Sequence, residues 1–131
     1  MIIGYYAGLL GLLFIVLTLR IVRMRWKLKV GIGDGGDHQL KKAIRVQGNF
    51  VEQVPMTLIL IYLVEAQWSN MFLIHGLGSA LLIARVLHAY GLTKTSKTSF
   101  GRFFGAVVTT LVMFAASVLL IVSYLKHNQI F

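Results

Sequence analysis

The stretch Phe103 to Leu125, FFGAVVTTLVMFAASVLLIVSYL, runs for 23 positions without a charged side chain. An α-helix needs about 20 apolar residues to cross the roughly 30 Å of hydrocarbon in a bilayer. This one run therefore demands a membrane span. Two more lie upstream. Met1 to Leu19 and Trp68 to Ala84 also lack Asp, Glu, Lys and Arg. A fourth segment, Ala43 to Val64, is long enough but carries Arg45, Asn49 and Glu52. Together they predict an all-α, integral membrane four-helix bundle, one domain over residues 1–131, with helices at roughly 2–26, 38–66, 69–91 and 101–126.

Composition agrees. The 131 residues are 57% hydrophobic and 13% charged, with one Pro, which excludes a disordered chain and differs from the roughly 25% charge of soluble domains. The absence of Cys excludes a disulfide framework, a thiolate metal site and a protein thiol nucleophile. Lys and Arg number 13 against 4 acidic residues, a net charge of +9. In a soluble domain that excess would point to nucleic acid. Here the cations sit between apolar runs, so no nucleic-acid partner is expected.

Their distribution sets the expected topology. The first connection holds Arg20, Arg23, Arg25, Lys27, Lys29, Lys41 and Lys42, and the third holds Lys94 and Lys97 with Arg102 at its end. The second, near Gln67 to Asn70, holds none. Positive loops stay cytoplasmic, so both termini are expected outside the cytoplasm. Trp68 then falls in the outer aromatic belt, and most of the first-loop cations need no role beyond topology and contact with anionic lipid. The first run lacks a basic n-region and a cleavage site, and reads as a retained helix rather than a signal peptide.

Gly31 to Gly36 spells G-x-G-x-x-G, but no strand precedes it, and without a sheet the motif loses its phosphate-binding meaning. It reads as a turn, with Asp37 as the N-cap of the second helix. Gly4, Gly8 and Gly11, then Gly76, Ala80 and Ala84, then Gly101, Gly105 and Thr109, each place small residues on one helix face, the spacing by which membrane helices approach closely. His38, His75 and His127 show no metal spacing with one another, and no metal is expected.

Lys42, Arg45, Asn49 and Glu52 are spaced 3, 4 and 3 and share one stripe of the second helix. An ionisable residue at the centre of a membrane helix costs about 2.5 kcal/mol or more, so the stripe is expected to face a bundle interior or a wet cavity. Arg85 lies about 25 Å along the third helix from Trp68 at 1.5 Å per residue, which returns it to the cytoplasmic side. Lys42, Arg45, Arg85 and Arg102 are thus expected at one level, with Glu52 to offset them. Such an excess calls for an anion, and arginine forks suit carboxylates. His88 shares a face with Arg85; Tyr90 is rotated by about 140°.

The segment RVQGNFVE, Arg45 to Glu52, resembles the helix-two signature of the MAPEG family, the membrane-associated proteins in eicosanoid and glutathione metabolism. Arg45, Gln47, Asn49 and Glu52 match it. Arg85-Val86-Leu87-His88-Ala89-Tyr90 is similar to the stretch that ends the family's third helix, and Phe100 to Gly105 to the Arg-bearing start of its fourth. The resemblance implies a homotrimer of four-helix protomers with glutathione bound between neighbours near the cytoplasmic side. Arg45, Asn49, Glu52, Arg85, His88 and Tyr90 would bind glutathione, and Arg102 would stabilise its thiolate. Glutathione is then a cosubstrate, and the partners are membrane lipid, glutathione or a similar anionic thiol, and further copies of the chain. The flavour is that of short bacterial inner-membrane members.

Three functions follow as expectations. The first is a glutathione-dependent transferase or peroxidase acting on lipophilic electrophiles by thiolate activation. The second is a non-catalytic lipid- or thiol-binding scaffold of the same fold. The third is a small membrane transporter built on Glu52.

Overall fold

The structure, a computed structural model, describes residues 1–94 and 100–127. Lys97, counted above among the third-connection cations, lies outside them, as does the C-terminal Phe131. Four helices make up the described chain: α1 (Ile3–Leu28), α2 (His38–Gln67), α3 (Met71–Lys94) and α4 (Phe100–His127). All four are long and apolar enough to cross a membrane. Among the described residues there is no strand.

The helix ends follow local chemistry. Asp37, in extended conformation, accepts a hydrogen bond from the Leu40 amide at 2.7 Å and starts α2 as expected. α1 ends with Lys29 in the left-handed region (φ 55°), the Val30 amide reaching back to the Arg25 carbonyl at 3.1 Å. The turn beyond it carries positive φ at Gly33, Gly35 and Gly36. At the opposite end, the Ile2 and Ile3 amides donate to the Glu65 carboxylate of α2, so a side chain two helical lengths away caps α1.

α2 is central. Its buried residues Leu40, Ala43, Val46, Phe50, Val54, Thr57, Ile61 and Val64 recur every three or four positions, a continuous stripe facing the other helices. α2 and α3 touch each other, and each also touches both α1 and α4; α1 and α4 do not meet. Polar ties cross the bundle too. The Gln47 amide donates to Thr18 at 2.7 Å, and the Tyr6 hydroxyl and His75 Nδ1 share a 2.9 Å hydrogen bond.

The small-residue faces divide. On α4 the expectation holds: a Cβ at Gly101 would lie 3.0 Å from the Leu87 carbonyl, and Gly105 is in tighter contact still. On α1 it does not. Gly4, Gly8 and Gly11 are exposed, with nothing within 4 Å of a Cβ there. The packed face of α1 is the Ile3, Tyr6, Leu10 and Leu17 stripe, turned about 130° from the glycines at 100° per residue. Gly76 likewise faces outward, while Gly78 packs under the Tyr6 ring.

Candidate functional site

Arg45 and Glu52 are two helical turns apart on α2 and meet at 3.1 Å, Nη1 to Oε1. Gly48 lies between them. A Cβ there would lie 4.0 Å from Arg45 Nη1, an ordinary van der Waals contact. Of the two settings expected for the stripe, a bundle interior or a wet cavity, the pair does not take the protomer interior. The side chains are 61% and 53% exposed. The reason is the register of α2: Val46, Phe50 and Val54 take the inner face, and the polar stripe is left on the outside.

Beside Arg45 a groove of about 480 Å³ runs between the start of α2 and the start of α4, lined by His38, Lys41, Lys42, Ile44, Arg45, Gly48 and Arg102. It brings together three of the four cations expected at one level. Arg85 is elsewhere.

Arg85 points into the bundle, 1% exposed. One amino group donates to Asn49 Oδ1 at 2.7 Å, and the other lies 3.5 Å from Thr109 Oγ1. The guanidinium carbon sits 6.0 Å above the Phe50 ring centre, within range of a cation–π contact. Among the described residues no carboxylate pairs with it, and its Nε is buried without a partner. α3 turns its Leu81, Ala84, Arg85 and His88 face to the core, which carries Arg85 away from the groove. A guanidinium can only donate, so it fixes the Asn49 amide with oxygen inward. The amide nitrogen is the end that Arg85 does not hold.

His88 is buried one turn from Arg85, its Nδ1 without a partner. Tyr90, 57% exposed, lies on another face of α3. The expected residues thus separate: Arg45, Glu52 and Arg102 lie on the outer side, Arg85 and His88 lie inside with Asn49 bonded to Arg85, and Tyr90 stands apart. His38, Lys41 and Gly48 were not singled out as groove residues, although 38, 41 and 42 continue the helical spacing of the stripe. The Arg85–Thr109 contact has no such signal, because it joins two helices.

Comparison with known proteins bears on the whole chain. The MAPEG family profile matches residues 3–122. The proteins named Inner membrane protein YecN in two strains of Escherichia coli are each 36% identical over 91 residues, covering 70% of this chain and 70% of theirs. With four membrane-length helices and a match across nearly its full length, the chain belongs to the MAPEG family and is an integral membrane protein.

Proposed function

We propose that the protein binds glutathione or a similar anionic thiol at the Arg45–Glu52 face, and transfers or oxidises that thiol at the expense of lipophilic electrophiles or peroxides. One observation carries this reading: an ion pair near the middle of a membrane helix lies on the protomer's outside, beside a cation-lined groove. Glu52 is about 21 Å along α2 from its start. Charged groups at that depth cost about 2.5–3.5 kcal/mol each when they face lipid, so a second copy and a polar ligand are the natural cover. Arg45 and Glu52 offer one cation and one anion, which match a ligand carboxylate and ammonium. Arg102, which lines the same groove, would hold a sulfur as thiolate by electrostatic stabilisation. The chain has no Cys, so the nucleophilic sulfur belongs to the ligand. An apolar electrophile would enter laterally from the bilayer.

Glutathione titrations and a conjugation assay on purified variants test this. Arg45→Ala is expected to weaken glutathione binding by about tenfold or more, the loss of a charge-assisted pair of about 1.5–3 kcal/mol. Arg102→Ala is expected to lower turnover more than binding, because the thiolate forms only on activation. Variants that match the parent in both assays would make the face structural. The scaffold reading gains from Asn49 and Arg85, which are tied to each other inside the protomer by one hydrogen bond; binding without turnover would establish it. The transporter reading is disfavoured by the pairing of Glu52 with Arg45.

The assembly we infer is a homotrimer, so detergent-corrected mass measurement should give three chains per particle; a stable monomer would leave the ion pair facing lipid. We place the protein in the inner membrane, as its relatives are named, with the first and third connections cytoplasmic. A reporter fused at the C-terminus should be active only if it is a periplasmic one, and a cytoplasmic result would reverse the groove's orientation.

A further inference from the structure

The groove is longer than the motif beside it. From Arg45 its lining continues toward the start of α2 through Lys42, Lys41 and His38. These three residues share one side of the first two turns, since 38 to 41 and 38 to 42 are helical neighbours. Lys41 and His38 are exposed and Lys42 is half-buried. Among the described residues, neither lysine has a carboxylate within ion-pair distance. The nearest acidic residues in sequence are directed elsewhere: Asp34 accepts from the Gly36 amide at 3.0 Å and Asp37 from the Leu40 amide at 2.7 Å. Glu52 is engaged by Arg45.

Charge matching then leaves a remainder. Glutathione brings two carboxylates, one ammonium and a sulfur; Arg45 and Glu52 meet one carboxylate and the ammonium, Arg102 meets the sulfur, and Lys42, a helical neighbour of Arg45, is enough for the second carboxylate. Lys41 and His38 have no counterpart in that ligand. We propose that His38 and Lys41 form a second anion subsite at this mouth of the groove, and that it takes a phosphate group. The chemistry favours phosphate over carboxylate. A compact ammonium charge and an imidazole suit a group bearing close to two negative charges and three acceptor oxygens, whereas a carboxylate is best met by a planar arginine fork. The side chain of Ile44 supplies an apolar wall. The phosphate belongs either to a soluble phosphorylated ligand or to a lipid headgroup at the membrane surface. The proposal extends the thiol-site reading by two helical turns and rests on it only in taking the groove as a ligand site.

The test uses the full chain in nanodiscs. Pyrophosphate is titrated calorimetrically into the parent and into His38→Gln/Lys41→Gln, first in phosphatidylcholine discs and then in discs that also contain phosphatidylglycerol. In phosphatidylcholine the parent is expected to bind saturably, and the double variant at least about tenfold more weakly, with glutathione affinity within about twofold of the parent. Competition by phosphatidylglycerol assigns the subsite to a lipid headgroup, and undiminished binding assigns it to a soluble phosphate; either supports the proposal. It is overturned if the parent shows no saturable pyrophosphate binding, or if the double variant binds as well as the parent. A parent that binds pyrophosphate but not glutathione keeps the subsite and refutes the glutathione reading; the reverse result refutes the subsite alone.

Discussion

Replacing Gly105 with valine is expected to force α4 away from α3 and to lower the melting temperature in detergent by at least several degrees. A Cβ at this position would lie 2.5 Å from the Ala84 carbonyl oxygen, 2.8 Å from His88 Cβ and 3.0 Å from the His88 nitrogen. Two of these atoms are backbone, so no rotamer change relieves the contact, and the helices themselves must separate. Overpacking of this kind costs about 1–3 kcal/mol and at times more. Separation also strips Thr109 of its place between the Gly105 carbonyl, to which it donates at 2.8 Å, and Arg85. Gly8→Val is the control, because nothing lies within 4 Å of that position; the protomer should tolerate it. Equal melting of the Gly105→Val variant and the parent would show that α3 and α4 are not in contact there.

The second large effect has opposite signs in two assays. Arg85→Met is expected to leave stability unchanged or to raise it, while weakening glutathione binding by about tenfold. Burial of an unpaired ion costs several kcal/mol, and the hydrogen bonds that Arg85 makes to neutral partners return about 1.5–3 kcal/mol each. With one bond of 2.7 Å and another at the 3.5 Å limit, the desolvation cost is the larger quantity. Methionine fills a similar volume without charge. Asn49, however, loses the donor that fixes its amide, and its nitrogen would no longer be held toward a ligand. Thermal melting beside glutathione titration separates the two effects. A sharp fall in melting temperature with binding intact would make Arg85 a packing residue and detach it from the site.

Much of this arrangement is legible in the residues. Four uncharged or nearly uncharged runs specify four spans, because hydrocarbon admits little else, and Asp37 before an apolar-periodic segment marks the start of α2. The spacing of Arg45, Asn49 and Glu52 places them on one stripe, and the stripe is real. What spacing does not specify is the neighbour. The glycines of α1 and α4 are alike in sequence, yet one set packs against α3 and the other faces outward; the difference is which face each helix turns to its neighbours. Distance along α3 puts Arg85 level with Asn49 of the stripe, but the azimuth of α3 carries it into the core. Gly78 carries no local signal of its role, because its partner, the Tyr6 ring, is 72 positions away in the chain.

The contact pattern of the helices has a geometric consequence. In cross-section the protomer is a rhombus: α2 and α3 touch across the short diagonal, and α1 and α4 occupy the far corners without meeting. A square bundle leaves an axial lumen, whereas a rhombus closes it. Among the described residues Phe50 of α2 and Leu81 and Arg85 of α3 are buried, with the Arg85 guanidinium against the Phe50 ring. Molecules that reach the polar face of α2 therefore approach along the flank of the protomer, through the lipid or between chains, and not down its axis.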